Sequence, residues 1–364
     1  MIVKEITELL EQLAPLDHAE DFDNVGLLVG NPEEEVTGVL VTLDTLENVV
    51  DEAIETGNNL IVSFHPIIFK GLKKITGKTY VERVVLKAIQ NKIAIYSMHT
   101  ALDNMPGGVN AKICEVLQIK NPRILIPQTN TINKLVTYVP KETANEVKQA
   151  LYSAGAGSIG NYNNCSFTTE GTGSFTPNEA SHPVIGSINE PSELTEQQLH
   201  IIFEKGKTDA VLTALFKSHP YEEVAYELST LNNTNQNLGM GMVGMLEKPI
   251  PALDFLKTVK HRMQSGCIRH SELYKKTVQT VAVLGGSGAF AIPAAIAAKA
   301  DIILTADLKY HDFYQAENKI IIADIGHYES EQFTKNLLVD YLTKKIPNFA
   351  ISLSKSKTNP IKYF

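Results

Sequence analysis

The chain has 364 residues, 43% of them hydrophobic and 20% charged, with a formal charge of −8. That length suffices for a substantial core and for two or three domains, and the interspersed acidic balance gives no footprint for sequence-independent nucleic-acid binding. Three widely spaced cysteines (Cys114, Cys165 and Cys267) with no CxxC, no leader-like opening and no apolar run of membrane-spanning length predict a cytoplasmic chain with reduced thiols.

The first 127 residues alternate helix and strand signals. Apolar residues at Ile2, Ile6, Leu9, Leu10 and Leu13 have helical spacing. Strand TGVLVTLD (37–44), helix 46–57, strand NLIVSF, helix 79–91 and strand KIAIYS (92–97) follow, as in a βαβαβ unit with a mostly parallel sheet. From 128 to 245 the order changes to βαββαβ, the ferredoxin-like split unit, with a hairpin expected around Gly171 and Gly173 and a polar linker at NNTNQN (232–237). From 246 to 364 the α/β alternation resumes: a helix near 255–263, strand TVAVLGGSG (280–288) entering a glycine-rich turn, then DIILT (301–305), KIIIAD (319–324) and a helix from His327. The expected architecture is α/β: one sheet domain (1–127 with 246–364) interrupted by an inserted α/β domain (128–245).

Four of these apolar strands run out into metal-binding side chains. LIVSF ends at His65-Pro66 and KIAIYS reaches His99 and Asp103, while DIILT is followed by Asp307 and His311, and KIIIAD by His327 and Glu331. Runs without polar alternation read as strands buried on both faces, and ligands of parallel sheets gather at strand carboxyl ends. Four such ends from opposite parts of the chain predict one polynuclear site, which requires the two flanking segments to share a domain. His327 and Glu331, four apart on a helix, present imidazole and carboxylate on one face; alone they would read as a surface helix pair. Asp103 is favoured over His99 as a ligand, His99 being either a ligand or a group that orients Asp103. Asp307 and His311 are expected to move protons or contact substrate, although Asp307 also suits a helix start. A His-plus-carboxylate set without thiols suits zinc, manganese or iron, one or two ions per subunit. GGSG (285–288) has the composition of a phosphate cradle, but a tight turn is the plainer reading.

The motifs DNVGLLVG, SFHPIIFKG, MHTALDN, GGSG, TADLKYHDF and GHYESE, in this order, resemble the Nif-three-like family, whose members are named GTP cyclohydrolase 1 type 2 homologues. The resemblance implies an α/β body holding a pair of divalent metals, a CutA- or PII-like insertion, and a toroidal homohexamer. By position it implies His65, Asp103, His327 and Glu331 as metal ligands, with Glu331 bridging. Phe64 stands where the family usually has the first His of His-His-Pro, and Ala306 where it usually has Gly. The expectation is therefore one well-occupied ion on His65, Asp103 and Glu331 and a weaker one near His327. Metal-dependent hydrolysis, with Glu331, His99, Asp307 and His311 as catalytic residues and GTP, another nucleotide or a phosphoester as substrate, is one functional expectation. A non-catalytic metal-handling or small-molecule-sensing protein is the other.

Overall fold

The computed structural model describes every residue, Met1–Phe364. In order, the chain forms α1 (Val3–Leu13), β1 (Gly26–Val29), β2 (Val39–Thr42), α2 (Glu47–Thr56) and β3 (Leu60–Ser63). It continues with α3 (Tyr80–Gln90), β4 (Ala94–Ser97), α4 (His99–Asp103), α5 (Val109–Leu117) and β5 (Lys120–Gln128). Next come β6 (Ile132–Pro140), α6 (Ala144–Ser153), β7 (Phe167–Phe175), β8 (Ser192–Glu204), α7 (Thr208–Ser218) and β9 (Tyr226–Leu231). The remainder is β10 (Asn235–Pro251), α8 (Ala252–Arg262), β11 (Arg269–His270), β12 (Thr277–Ser287), α9 (Ile292–Ala297) and β13 (Ile302–Ala306). It closes with β14 (Ile321–Asp324), α10 (His327–Glu331), α11 (Thr334–Lys345) and β15 (Ile351–Leu353).

These elements divide into two compact units, Met1–Pro127 with Gln236–Phe364, and Gln128–Asn235. The second boundary falls earlier than the expected 245, because NNTNQN leads directly into the long strand β10.

The first unit contains two sheets, ordered β1-β4-β3-β2-β15 and β11-β14-β13-β12-β10-β5, where one mostly parallel sheet was expected. The pairs β15·β2, β2·β3, β3·β4, β12·β13 and β13·β14 are parallel. Their neighbours β1·β4, β10·β12 and β11·β14 are antiparallel. Apolar runs report burial on both faces, not which strand lies alongside, so the sequence pattern could neither count the sheets nor fix their direction.

Alternation along each strand sorts its side chains between layers. Leu60 and Val62 of β3, and Ile302 and Leu304 of β13, belong to one shared core, while Ile61 and Ile303 enter separate outer clusters. Ile6 of α1, Ile113 of α5, Phe255 of α8 and Leu338 of α11 complete the shared core. Each such fully buried side chain contributes roughly 1.5–3 kcal/mol relative to exposure. Two sheets held on one core have little freedom to slide, and the segments leaving β3 and β14 are thereby brought together. No helix is long and apolar enough to cross a membrane.

The second unit is βαββαβ, with its sheet ordered β7-β8-β6-β9 and every pair antiparallel. Val147 and Leu151 of α6, with Val211 and Leu215 of α7, pack on Leu135, Val139, Leu199, Ile201 and Phe203. The hairpin expected at Gly171 and Gly173 is instead one continuous strand, β7, paired along its length with β8. At Gly173 a Cβ would sit 2.1 Å from Glu196 Oε2, the end of a flexible side chain that would have to shift aside.

Candidate metal centre

His65 leaves β3 with its backbone N–H on the Leu43 carbonyl (2.9 Å), and Pro66 stiffens the exit. His327 opens α10 after Gly326, and Glu331 lies one turn along the same helix. The ligand atoms of His65, His327 and Glu331 all fall within 4.8 Å of one another. Glu331 Oε2 is 3.0 Å from His65 Nε2 and 3.1 Å from His327 Nε2, and the two Nε2 atoms are 3.4 Å apart. The two strand ends farthest apart in sequence are therefore the ones that meet.

The opposite nitrogen of each imidazole is held by a carboxylate. His65 Nδ1 lies 2.7 Å from Asp44 Oδ1, and His327 Nδ1 lies 2.7 Å from Asp307 Oδ2. Thr358 donates its hydroxyl to the other Asp44 oxygen at 2.7 Å. With Nδ1–H donated outward, each Nε2 is left to face Glu331. This carboxylate–histidine arrangement fixes tautomer and ring orientation in metal sites.

Two glycines make room for the carboxylate. GGSG does not form the expected turn, because β12 runs on through Gly285 and Gly286 to Ser287. The N–H of Gly285 is taken by Asn110 Oδ1 (3.0 Å) and that of Gly286 by Ser330 Oγ (2.9 Å), so neither is offered to a phosphate. Gly286 has φ +69°, and a Cβ there would lie 2.4 Å from Glu331 Oε1.

The electrostatics call for a cation. Burial acts to lower the pKa of both imidazoles, but for His65 the charges of Glu331 and Asp44 outweigh it and push it up to about 10. For His327, Asp307 and Glu331 likewise overcome burial and push it up to about 11. Burial opposes ionisation of Glu331, yet the two imidazoles hold its carboxyl well below the usual range. Asp103 is driven the other way, well above its usual value, by burial and then by the Glu331 charge. Its Oδ1 is shut off from solvent without a hydrogen-bond partner, whereas Glu331 Oε2 has only the two imidazole Nε2 atoms facing it. Buried polar atoms are otherwise almost always satisfied. Two imidazole nitrogens and a carboxylate oxygen converging, with the orphaned Asp103 carboxylate feeling the same charges, fit a divalent cation.

The other expected site residues are distributed around this cluster. Asp103 lies outside the three-residue group, so the structure gathers His65 with His327 on Glu331, not His65 with Asp103. Asp307 does not cap a helix but holds His327. His99 sits at φ +26° with its ring 5.4 Å from that of His65, and its Nδ1 is 2.8 Å from Asp23 Oδ1. Asp23 is fully enclosed and accepts from the Thr100 backbone N–H at 3.1 Å and from the Thr100 hydroxyl. His311 is exposed, its ring against those of Tyr310 and Tyr314, and it does not join the cluster. Phe64 is fully buried in the shared core, 4.9 Å from the His65 ring and 5.6 Å from the His99 ring. Asp44 and Asp23 were missed in the sequence. Asp44 ends the strand segment 37–44 as the other clusters end theirs, and Asp23 immediately precedes Asn24 in DNVGLLVG.

A family model described as Duf34/NIF3 (NGG1p interacting factor 3) matches residues 1–360. The chain belongs to this family. It is 36% identical over 370 residues to a Bacillus subtilis protein named GTP cyclohydrolase 1 type 2 homolog, covering 99% of this chain and 98% of that one. A Halalkalibacterium halodurans protein of the same name is 36% identical over 363 residues, covering 98% of each. Among solved structures, a Bacillus cereus protein related to NIF3 superposes with a TM-score of 0.85 at 35% identity, covering 100% of this chain and 99% of that one. A Staphylococcus aureus protein gives 0.80 at 29% identity, covering 100% and 99%.

Proposed function

We propose that the chain is a metal-dependent hydrolase of the Duf34/NIF3 family, acting on a nucleotide or phosphoester through a divalent ion, zinc by preference, held by His65, His327 and Glu331. The observation that carries this reading is the convergence of three candidate ligand atoms within 4.8 Å, beside a buried Asp103 Oδ1 that lacks a hydrogen bond. The names of the relatives, GTP cyclohydrolase 1 type 2 homolog, make GTP the first substrate to test. Asp103 is the proposed ligand for a second ion, which Phe64 leaves with one ligand fewer. A bound divalent cation supplies Lewis acidity and makes water a competent nucleophile near neutral pH.

The protein residues do the rest. Asp44 and Asp307 keep the imidazoles aimed inward, and the small opening at Gly285–Gly286 admits Glu331. His99, held through Nδ1 by Asp23, presents Nε2 as a proton acceptor for the attacking water and a donor to the leaving group. His311 is given no part. The βαββαβ insertion reads as a ferredoxin-like, CutA/PII-like module, and a homohexamer is the proposed assembly, checked by light scattering. The test of function is turnover of GTP and a panel of nucleotides and phosphoesters by metal-loaded protein. Activity abolished by Glu331→Gln supports the enzyme, and metal binding without turnover across the panel overturns it.

One observation favours the sensing reading as well. The inserted unit alone contains a cavity of about 680 Å³ lined by Tyr138, Phe175, Tyr221, Glu196, Glu222 and Glu223, among others, with no Lys or Arg. Tyr221 donates its hydroxyl to Glu196 at 2.9 Å. Aromatic walls and a lining that contributes carboxylates but no Lys or Arg suit a small organic cation. Calorimetric titration with primary amines and guanidinium compounds decides it, and no binding that Glu196→Gln weakens would remove this reading.

A further inference from the structure

Two large apolar side chains stand in solvent beside the metal centre. Phe22 is 66% exposed and Phe69 45% exposed. Their ring centroids are 6.4 Å apart with the planes inclined at 59°. Phe69 meets the His99 ring edge-on at 6.1 Å, and His99 in turn lies 5.4 Å from His65. A file of rings therefore leads from solvent to the candidate metal ligands.

The backbone carrying these rings is fastened at several points. Asp23, next to Phe22, accepts from His99 and Thr100. Asn24 donates its side-chain amide to the Ile68 carbonyl, next to Phe69, so the two ring-bearing segments are tied to each other. The Glu20 N–H donates to Thr100 Oγ1 at 3.0 Å. Aromatic rings normally contribute their area to a core, and holding two of them rigidly in water forgoes that gain. Such a patch at the mouth of a polar site marks a contact surface. Beyond Phe69 the same loop carries exposed Lys70, Lys73 and Lys74, charge that suits an anionic partner.

We propose that Phe22 and Phe69 form a stacking platform for the planar heteroaromatic ring of a nucleotide, which sets the reacting group over the metal centre. This rests on the hydrolase reading above and adds to it the ligand class and the residues that select it. A base sandwiched between parallel rings needs a gap of about 7 Å, twice a stacking contact of about 3.5 Å. The pair at 6.4 Å is narrower than that and inclined at 59°, so the ligand ring stacks on the exposed face of one ring and meets the other edge-on.

The test compares guanosine 5′-monophosphate with ribose 5-phosphate by isothermal titration, on metal-loaded and metal-stripped full-length protein, with metal content measured in parallel. The ring-bearing probe is expected to bind tighter by on the order of tenfold or more. Phe22→Ala and Phe69→Ala should each erase most of that preference with metal content unchanged, and Phe69→Tyr should keep it. Equal affinity for the two probes in the wild type, or a preference that survives both alanine variants, overturns the platform. So does a change of oligomeric mass in those variants with the preference intact, which would make the patch a subunit contact. Failure of the metal reading looks different: no divalent ion is bound, yet the stripped protein still prefers the ring.

Discussion

Metal binding at this site should expel protons, and the number follows from the geometry. In the metal-free chain His65 and His327 are pushed up to about 10 and about 11, so both hold a proton at neutral pH. Each Nδ1 already faces a carboxylate at 2.7 Å, so the proton that yields to an ion is the one on Nε2. An ion taking both Nε2 atoms therefore displaces up to two protons, one from each ring. The His327 side chain is 38% exposed, and solvent screening of its partners weakens its hold, so a value between one and two is expected near pH 7.5. Each displaced proton changes the apparent binding free energy by about 1.4 kcal/mol per pH unit. Two displaced protons thus weaken binding by about a hundredfold when the pH falls from 8 to 7. An ordinary exposed histidine pair, already neutral there, would show almost no slope. Titrating zinc or manganese in buffers of different ionisation enthalpy gives the proton count directly. A count near zero between pH 7 and 8 would refute the electrostatic account of the site.

The same shifts set the pH dependence of stability in the stripped protein. Both imidazole pKa values are raised on folding, so their contribution is complete below about 6.5 and is lost as pH rises through about 10 to 11. Glu331 is shifted down, so its contribution is present above about 4.5 and disappears as the solution becomes strongly acidic. Stripped protein should accordingly lose denaturant stability on the alkaline side, and metal-loaded protein should resist that loss.

Asp44→Asn should weaken metal binding by about 10- to 100-fold, measured by competition with a chelating dye, because it releases the His65 ring from its orienting partner. Asp307→Asn should do less, since that carboxylate is half exposed. Phe64→His should raise the stoichiometry by one ion per chain; an unchanged metal content would remove position 64 from the site. Gly286→Ala should cost about 1–3 kcal/mol in urea unfolding and weaken metal binding, since it forces a side chain at φ +69° into the Glu331 carboxylate.

What could be seen in the sequence was what period and composition encode. The runs LIVS, AIYS, IILTA and IIAD are all strands with every residue buried, and their polar ends supply the site residues. The partners of those residues were invisible because they are set by tertiary packing. Asp44 reaches His65 from the next strand, and Asp23 reaches His99 across 76 positions. Gly285 and Gly286 misled for a related reason. Glycine in a strand signals either a turn or a close approach, and only the position of Glu331 shows that it is the second.

The candidate ligands fall on both sides of the insertion: His65 before it, His327 and Glu331 after it. Neither flank can build the site alone, so metal binding reports that Met1–Pro127 and Gln236–Phe364 have folded together. The insertion itself need not take part. Strands β5 and β10, which lead into and out of it, are neighbours in one sheet. They approach so closely that a Cβ on Gly239 would lie 2.8 Å from the Pro127 Cα. A short glycine-rich turn can therefore replace 128–235 without stretching either strand. That shortened chain should keep the metal content, the proton count and the alkaline stability profile of the full protein. Loss of metal binding in a shortened chain that remains folded by circular dichroism would show that the flanking unit is not the self-sufficient body its shared core describes.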